Sequence, residues 1–291
     1  MRSMSLLLSI LLLFTACEFQ EIRRLPDDLP AESRAGDVPP AEDYAASLTS
    51  LLEQVVTDDG LVRYDLLGGP LNRDFRRVLK AIEDFDAARL LTQNERLAFW
   101  LNAYNVQMLQ NVIETPAVQD ILADGLDERF FRTPYRTAGQ GITLDEIEHV
   151  ILRRARFEER LAVFRLADLD PRLHVGINCA AVSCPRLRRV AFTAENVDTE
   201  LDAAMRDFVN DPKHFRREGS TFLLSALLDW FGSDFEATGQ PAGDYLLAFM
   251  SPDRPDYAAL RALFEGRSAA DLRNHPDVRF VYDWTVNKAS E

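Results

Sequence analysis

Arg172-Leu-His174-Val-Gly-Ile-Asn178-Cys179-Ala-Ala-Val-Ser183-Cys184-Pro185-Arg186 is the stretch on which the reading of this chain turns. Leu173, Val175 and Ile177 alternate with His174, Gly176 and Asn178, the period of a strand whose polar face carries a histidine and an asparagine. Small residues follow Cys179 and allow close packing or substrate approach. Cys184-Pro185 suits a helix start, with proline at the first helical position and Cys184 at the N-cap. The free N–H groups and partial positive charge of a helix start favour a thiolate there, and Arg186 and Arg188 add to this. A strand that presents His174 to a helix-capped Cys184 predicts an α+β fold and marks Cys184 as a candidate nucleophile.

The same residues admit other chemistry. Cys179 and Cys184 can form a disulfide if the chain is exported and the turn between them is tight. His174-x₄-Cys179-x₄-Cys184 also approaches metal-ligand spacing, for zinc or copper, without a clear fourth ligand. Cys179 further suits a small buried hydrophobe.

Upstream, Tyr44, Leu48, Leu51, Leu52 and Val55 recur at helical intervals over about 43–56. Asp58-Asp59-Gly60 then turns the chain into a short extended stretch, 61–64, and another helix is expected over 72–85. Thr92 and Glu95 have capping-box spacing, which predicts a helix from 93 to about 112 with Leu97, Leu101, Tyr104 and Met108 on one face. Asn105 falls inside that face and Asn102 on its flank, so each amide must be hydrogen-bonded if buried. Either clamps a neighbouring loop or lines a pocket. Thr143 and Glu146 form a second capping box. On the helix that follows, Glu148 lies beside the buried face of Leu144, Ile147 and Ile151, while His149 points nearly opposite. Glu148 is the better candidate for a carboxylate that orients a histidine; its alternative is a surface acid paired with Arg153 or Arg154.

Downstream, helices are expected over 197–209, after 222–225 with an end near 230–232, and over 244–250 and 257–264, and the alternating run 278–286 predicts a strand pairing with 172–178. Helices around a small antiparallel or mixed sheet make one α+β domain over 43–291.

The chain has a formal charge of −14 with its basic residues dispersed, which argues against nucleic acid. It holds no glycine-rich phosphate loop and no internal repeat, and no motif demands a cofactor. At the N-terminus, a basic start, the apolar run from Leu6 to Phe14 and Thr15-Ala16-Cys17 have the form of an export leader over 1–17. The run is too short for a membrane span, which needs about 20 residues. Thr-Ala-Cys17 resembles a bacterial lipoprotein box with Cys17 as the lipidated residue. Glu18 behind it implies the periplasmic face of the outer membrane, and an ordinary secretory leader implies a soluble periplasmic or secreted chain. Residues 18–42, acidic and proline-spaced, read as a tether.

The blocks Gly60 to Tyr64, Ala98-Phe-Trp-Leu-Asn102-Ala-Tyr-Asn105, Leu144 to Arg153, His174 to Pro185, Leu224 to Trp230 with Asp234-Phe235, and Tyr282 to Asn287 occur in order. In combination they resemble the bacterial and plant family called domain of unknown function 547, across about residues 45–288. The resemblance singles out Asn102, Asn105, Glu148, His149, His174, Cys179, Ser183 and Cys184, with no role attached to any. The family run often has glycine after its first cysteine, where this chain has Ala180.

These observations give two functional expectations. One is a papain-like or transglutaminase-like thiol hydrolase or acyl transferase: Cys184 attacks a carbonyl, His174 takes and returns the proton, and Glu148 or an asparagine holds the imidazole. Asn102, Asn105, His149, Asn178, Ser183 and Arg186 would orient groups or bind substrate. The other is a non-catalytic envelope lipoprotein that binds a ligand or peptide, with Cys179 and Cys184 structural or bridged. The envelope substrate and the oligomeric state are not legible.

Overall fold

The computed structural model describes residues 41–122 and 126–289, beginning with helices α1 (Ala41–Val55), α2 (Tyr64–Gly68), α3 (Asn72–Glu83), α4 (Gln93–Ile113) and α5 (Leu126–Arg132). A hairpin, β1 (Tyr135–Thr137) and β2 (Gln140–Ile142), leads into α6 (Leu144–Glu146), which continues as a π-helix over Ile147–Leu152. Then follow α7 (Leu173–Gly176), α8 (Val197–Asn210), β3 (Phe215–Glu218), β4 (Thr221–Ser225), α9 (Ala226–Trp230), α10 (Ala242–Leu247), α11 (Tyr257–Phe264), α12 (Ala269–Arg273) and β5 (Val278–Val281). The leader, Cys17 and all but the last two residues of the tether lie outside the described residues.

Local chemistry starts the long helices where the sequence predicts. Thr92 Oγ1 accepts the Glu95 N–H and the Glu95 carboxylate accepts the Thr92 N–H, so two orphan donors at the start of α4 are satisfied. Thr143 and Glu146 do the same at α6. The hairpin between them turns on Ala138 and Gly139, both with positive φ.

The domain is mainly helical with a small mixed sheet, as the α+β reading expects. β3 lies antiparallel to β4 and β5 parallel to it. One apolar core gathers around α4, where Trp100, Leu101 and Tyr104 are fully buried. A second packs α8 to α12 against the three-stranded sheet. Helix α7 joins the two: Leu173 and Ile177 belong to the first core and Val175 to the second.

Two expected elements differ. Residues 172–178 are not a strand; α7 is a short helix in which Leu173, His174, Val175 and Gly176 are all buried. With every side of the segment covered, apolar alternation carries no information about which side faces out. Ahead of the helix, Pro171 and Asp170, whose carboxylate accepts the Arg172 N–H, turn the chain. Gly176 is closely packed, because a Cβ there would lie 2.8 Å from the Leu201 side chain, which would have to shift. The C-terminal run pairs as a strand only over β5, with β4 as partner. Beyond it, Val286 bridges Ala181 and Thr285 bridges Asp120, so the tail is drawn across the cysteine loop.

Candidate functional site

The loop from Asn178 to Pro185 is held by amides buried beneath it. Asn105, on α4, donates to the Gly176 carbonyl at 2.9 Å and accepts the Asn178 N–H at 2.8 Å. Asn178 donates to the Pro185 carbonyl and accepts the Ala180 N–H, which closes the loop on itself. Asn287 and Tyr64 extend the network beneath. Asn102 instead clamps Phe192, donating to its carbonyl and accepting its N–H. Ser183 accepts the Asp283 N–H and donates its own N–H to the Asp283 carbonyl. Asn105, Asn178, Asn287 and Ser183 position the loop, and neither they nor Asn102 line the cavity beside it. Ala180 takes φ 62°, a region a glycine enters without strain.

Cys184 does not cap a helix, since residues 185–188 are irregular. The arginines behind it are committed elsewhere: Arg186 to Asp211, Arg188 to Glu200 and Asp207, and Arg189 to Asp58. Arg186 therefore lies away from the thiol pocket. The N–H that a helix start was expected to supply comes from within the loop, from Cys179 N to Cys184 Sγ at 2.8 Å. The two cysteines are free, with sulfurs 2.6 Å apart, and Tyr282 Oη lies 2.9 Å from Cys179 Sγ. Burial alone would raise the Cys184 thiol; the Cys179 S–H and N–H and the Tyr282 hydroxyl outweigh it and bring the thiol below its ordinary range. Burial pushes Cys179 the other way, well up, and the neighbouring Cys184 adds to it.

His174 meets Asp234 rather than Glu148. Its Nε2 is 2.8 Å from Asp234 Oδ2, and Arg153 grips the same carboxylate through Nε at 2.6 Å and Nη2 at 3.2 Å. Burial would raise Asp234, but its bonds to His174 and Arg153 prevail and hold it at about 2. An ionised carboxylate only accepts, so His174 donates through Nε2, and the neutral ring keeps its lone pair on Nδ1. Burial, with help from Arg153, keeps His174 below its ordinary pKa despite Asp234. Its ring lies on Phe231, 4.3 Å between centroids and 13° from parallel.

The π-helix changes where Glu148 and His149 point. The Arg153 N–H bonds to the Glu148 carbonyl five residues back, so successive side chains turn through less than an α-helical 100°. Glu148 and His149, expected on separate faces, line one cavity. His149 Nδ1 lies 2.9 Å from Arg153 Nη1 and must accept, which places its proton on Nε2, 3.6 Å from Asp145 Oδ1. Burial lowers His149 to about 4, with Asp145 opposing. Glu148 is 8% exposed, and its nearest donor is the Tyr104 hydroxyl at 3.4 Å. Burial raises it to about 7; Asp145 and Asp234 add to the rise, while Arg153 and Tyr104 oppose it.

The cavity holds about 310 Å³, at the lower end for small-molecule sites. Of the sequence candidates, Glu148, His149, His174, Cys179 and Cys184 line it. Asn102, Asn105, Asn178, Ser183 and Arg186 do not. Trp230, Phe231, Tyr282 and Trp284 form an aromatic side, with Trp230 43% exposed at the mouth. Sequence reasoning assigned no role to Asp234, Tyr282 or Tyr104. The recurrent blocks containing Asp234-Phe235 and Tyr282-Asp-Trp284 were the available signal.

Among the described residues no group of three His, Cys, Asp or Glu is placed to hold a metal ion, and no helix is long and apolar enough to cross a membrane. No curated protein and no solved structure matches the chain. One family model does, described as "Protein of unknown function, DUF547", over residues 88–209, which span α4, the π-helix, α7 and the whole cysteine loop. The chain therefore carries a DUF547-family domain over residues 88–209.

Proposed function

We propose that this domain is a thiol-dependent hydrolase or acyl transferase acting on an amide or ester carbonyl, with Cys184 as nucleophile. The observation that carries the reading is that Cys184 and His174 line one cavity, with Asp234 hydrogen-bonded to His174 Nε2. Cys184 attacks the carbonyl. His174, held through Nε2 by Asp234, takes the thiol proton on Nδ1 and returns it to sulfur when the acyl group leaves. Asp234 thus fills the orienting role that the sequence offered to Glu148. The reading keeps the analogy with papain-like and transglutaminase-like enzymes at the level of roles, a thiol, a histidine and a polar group that fixes the imidazole. It places the domain in the cell envelope, tethered by a lipid on Cys17.

A second reading rests on a different observation. Sulfurs 2.6 Å apart stand closer to the ~2.05 Å of a disulfide than unbonded thiols need to. Oxidised, the pair would leave a binding protein with an aromatic-walled pocket. Site-resolved alkylation of the full-length protein, before and after reduction, separates the two. The hydrolase reading expects Cys184 to label without reduction and below pH 8, and Cys184→Ala to abolish turnover of a p-nitrophenyl ester. Labelling only after reduction, or turnover that survives Cys184→Ala, favours the binding protein.

A further inference from the structure

Glu148 is left with no partner that explains it. Asp234 holds His174, and Arg153, the nearest guanidinium, is already committed to both Asp234 oxygens and to His149. His149 Nδ1, 3.8 Å away, is an acceptor and offers no proton. The charged and titratable groups around the carboxyl are Asp145, His149 and Arg153 from its own turn, Tyr104 from α4 and Asp234 from the loop after α9. Two of these are carboxylates, and the Arg153 guanidinium is neutralised by Asp234; Arg132, His174, Cys179 and Cys184 also line the cavity. A carboxyl so placed, in a cavity wall and with one long hydrogen bond, holds its proton near neutrality. Tyr104, whose hydroxyl donates to Glu148, lines the same cavity as Glu148, Cys179 and Cys184.

Resting on the thiol-acylation reading, we propose that Glu148 is the acid that protonates the leaving group and then, as carboxylate, the base that takes a proton from the attacking water. In this division of labour His174, held by Asp234 on one edge and stacked on Phe231, handles the thiol proton, and Glu148 handles the leaving group and the water. The protons balance. In acylation the sulfur–carbonyl bond forms and the bond to the leaving group breaks; the thiol proton goes to His174 and the Glu148 proton to the leaving group. In deacylation water attacks the thioester and gives one proton to Glu148, the carbon–sulfur bond breaks, and His174 reprotonates the thiolate. Both groups return to their starting states. The cavity would take small acyl donors whose leaving group is basic enough to need the proton.

The test compares two esters of one acid on the full-length chain: p-nitrophenyl butyrate, whose leaving group departs unaided, and ethyl butyrate, whose leaving group does not. In Glu148→Gln the ratio of ethyl to p-nitrophenyl acylation rates should fall about 100-fold or more. The neutral limb of the ethyl ester pH profile should disappear with it. A ratio unchanged in Glu148→Gln overturns the proposal, because a structural defect slows both esters alike. Absence of a Cys184-dependent burst with the p-nitrophenyl ester in the unmodified protein sinks the acylation reading instead. A readout without substrate stands beside these. Carboxyl ¹³C NMR, with Glu148 assigned by its loss in Glu148→Gln, should show titration near neutrality, and a carboxyl already ionised at pH 5 refutes the role whatever the kinetics.

Discussion

Replacing Asp234 with asparagine removes the charge that joins His174 to Arg153 and should destabilise the fold in a pH-dependent way. The residue is 8% exposed, and its carboxylate accepts from the His174 imidazole and from two nitrogens of Arg153. Its pKa is about 2 in the fold against an ordinary 3.8, so ionisation is easier folded than unfolded. A depressed carboxyl pKa contributes stability that is present above the unfolded value and is lost as pH falls through the folded one. The shift corresponds to about 2 kcal/mol. Breaking a buried ion pair by removing one partner costs about 3–5 kcal/mol, and asparagine retains an acceptor, so a loss of about 2–3 kcal/mol is expected at pH 7. Urea unfolding of both proteins at pH 7, 5, 4 and 3 measures it. The gap between them should be full at pH 7 and 5 and narrow by pH 3. A gap below about 1 kcal/mol at pH 7, or one that stays constant to pH 3, would show that the His174–Asp234–Arg153 group is not coupled as described.

Asn105→Ala strips both hydrogen bonds from the backbone at Gly176 and Asn178. With each buried group costing about 1–3 kcal/mol unpaired, the loss in chemical denaturation should reach about 2–4 kcal/mol; a loss under 1 kcal/mol would mean the loop does not hang on α4. Ala180→Gly trades relief of a positive φ against a freer unfolded chain and one lost buried methyl. Those terms are each about 1 kcal/mol and oppose one another, so Tm should barely move, whereas Ala180→Val should cost more than about 2 kcal/mol. Equal Tm values for glycine and valine at this position would contradict the left-handed conformation.

How much of this was legible in the sequence depended on distance along the chain. Thr92 with Glu95 and Thr143 with Glu146 satisfy donors three residues away, so their helix starts are written locally, as are the apolar faces of α1, α3, α4 and α8. The gathering of His174, Cys179 and Cys184 was legible because they lie within eleven residues of one another. Asn105 as a loop clamp was foreseen as one of two roles, since a buried amide on an apolar face must find a backbone partner.

The sequence by itself determined the capped starts of α4 and α6, the α+β class and the cysteines and histidines that meet at one cavity, because capping and apolar period act within one or two turns. Tertiary structure decided the rest. Burial on every side made 173–176 a helix where alternation read as a strand. A π-helical stretch over Ile147–Leu152 turned Glu148 and His149 into one cavity. Asp234, sixty residues beyond His174, took its imidazole, and Tyr282, 103 residues beyond Cys179, reached its sulfur. Such pairings depend on where separate elements come to pack, and no local spacing in the chain records that.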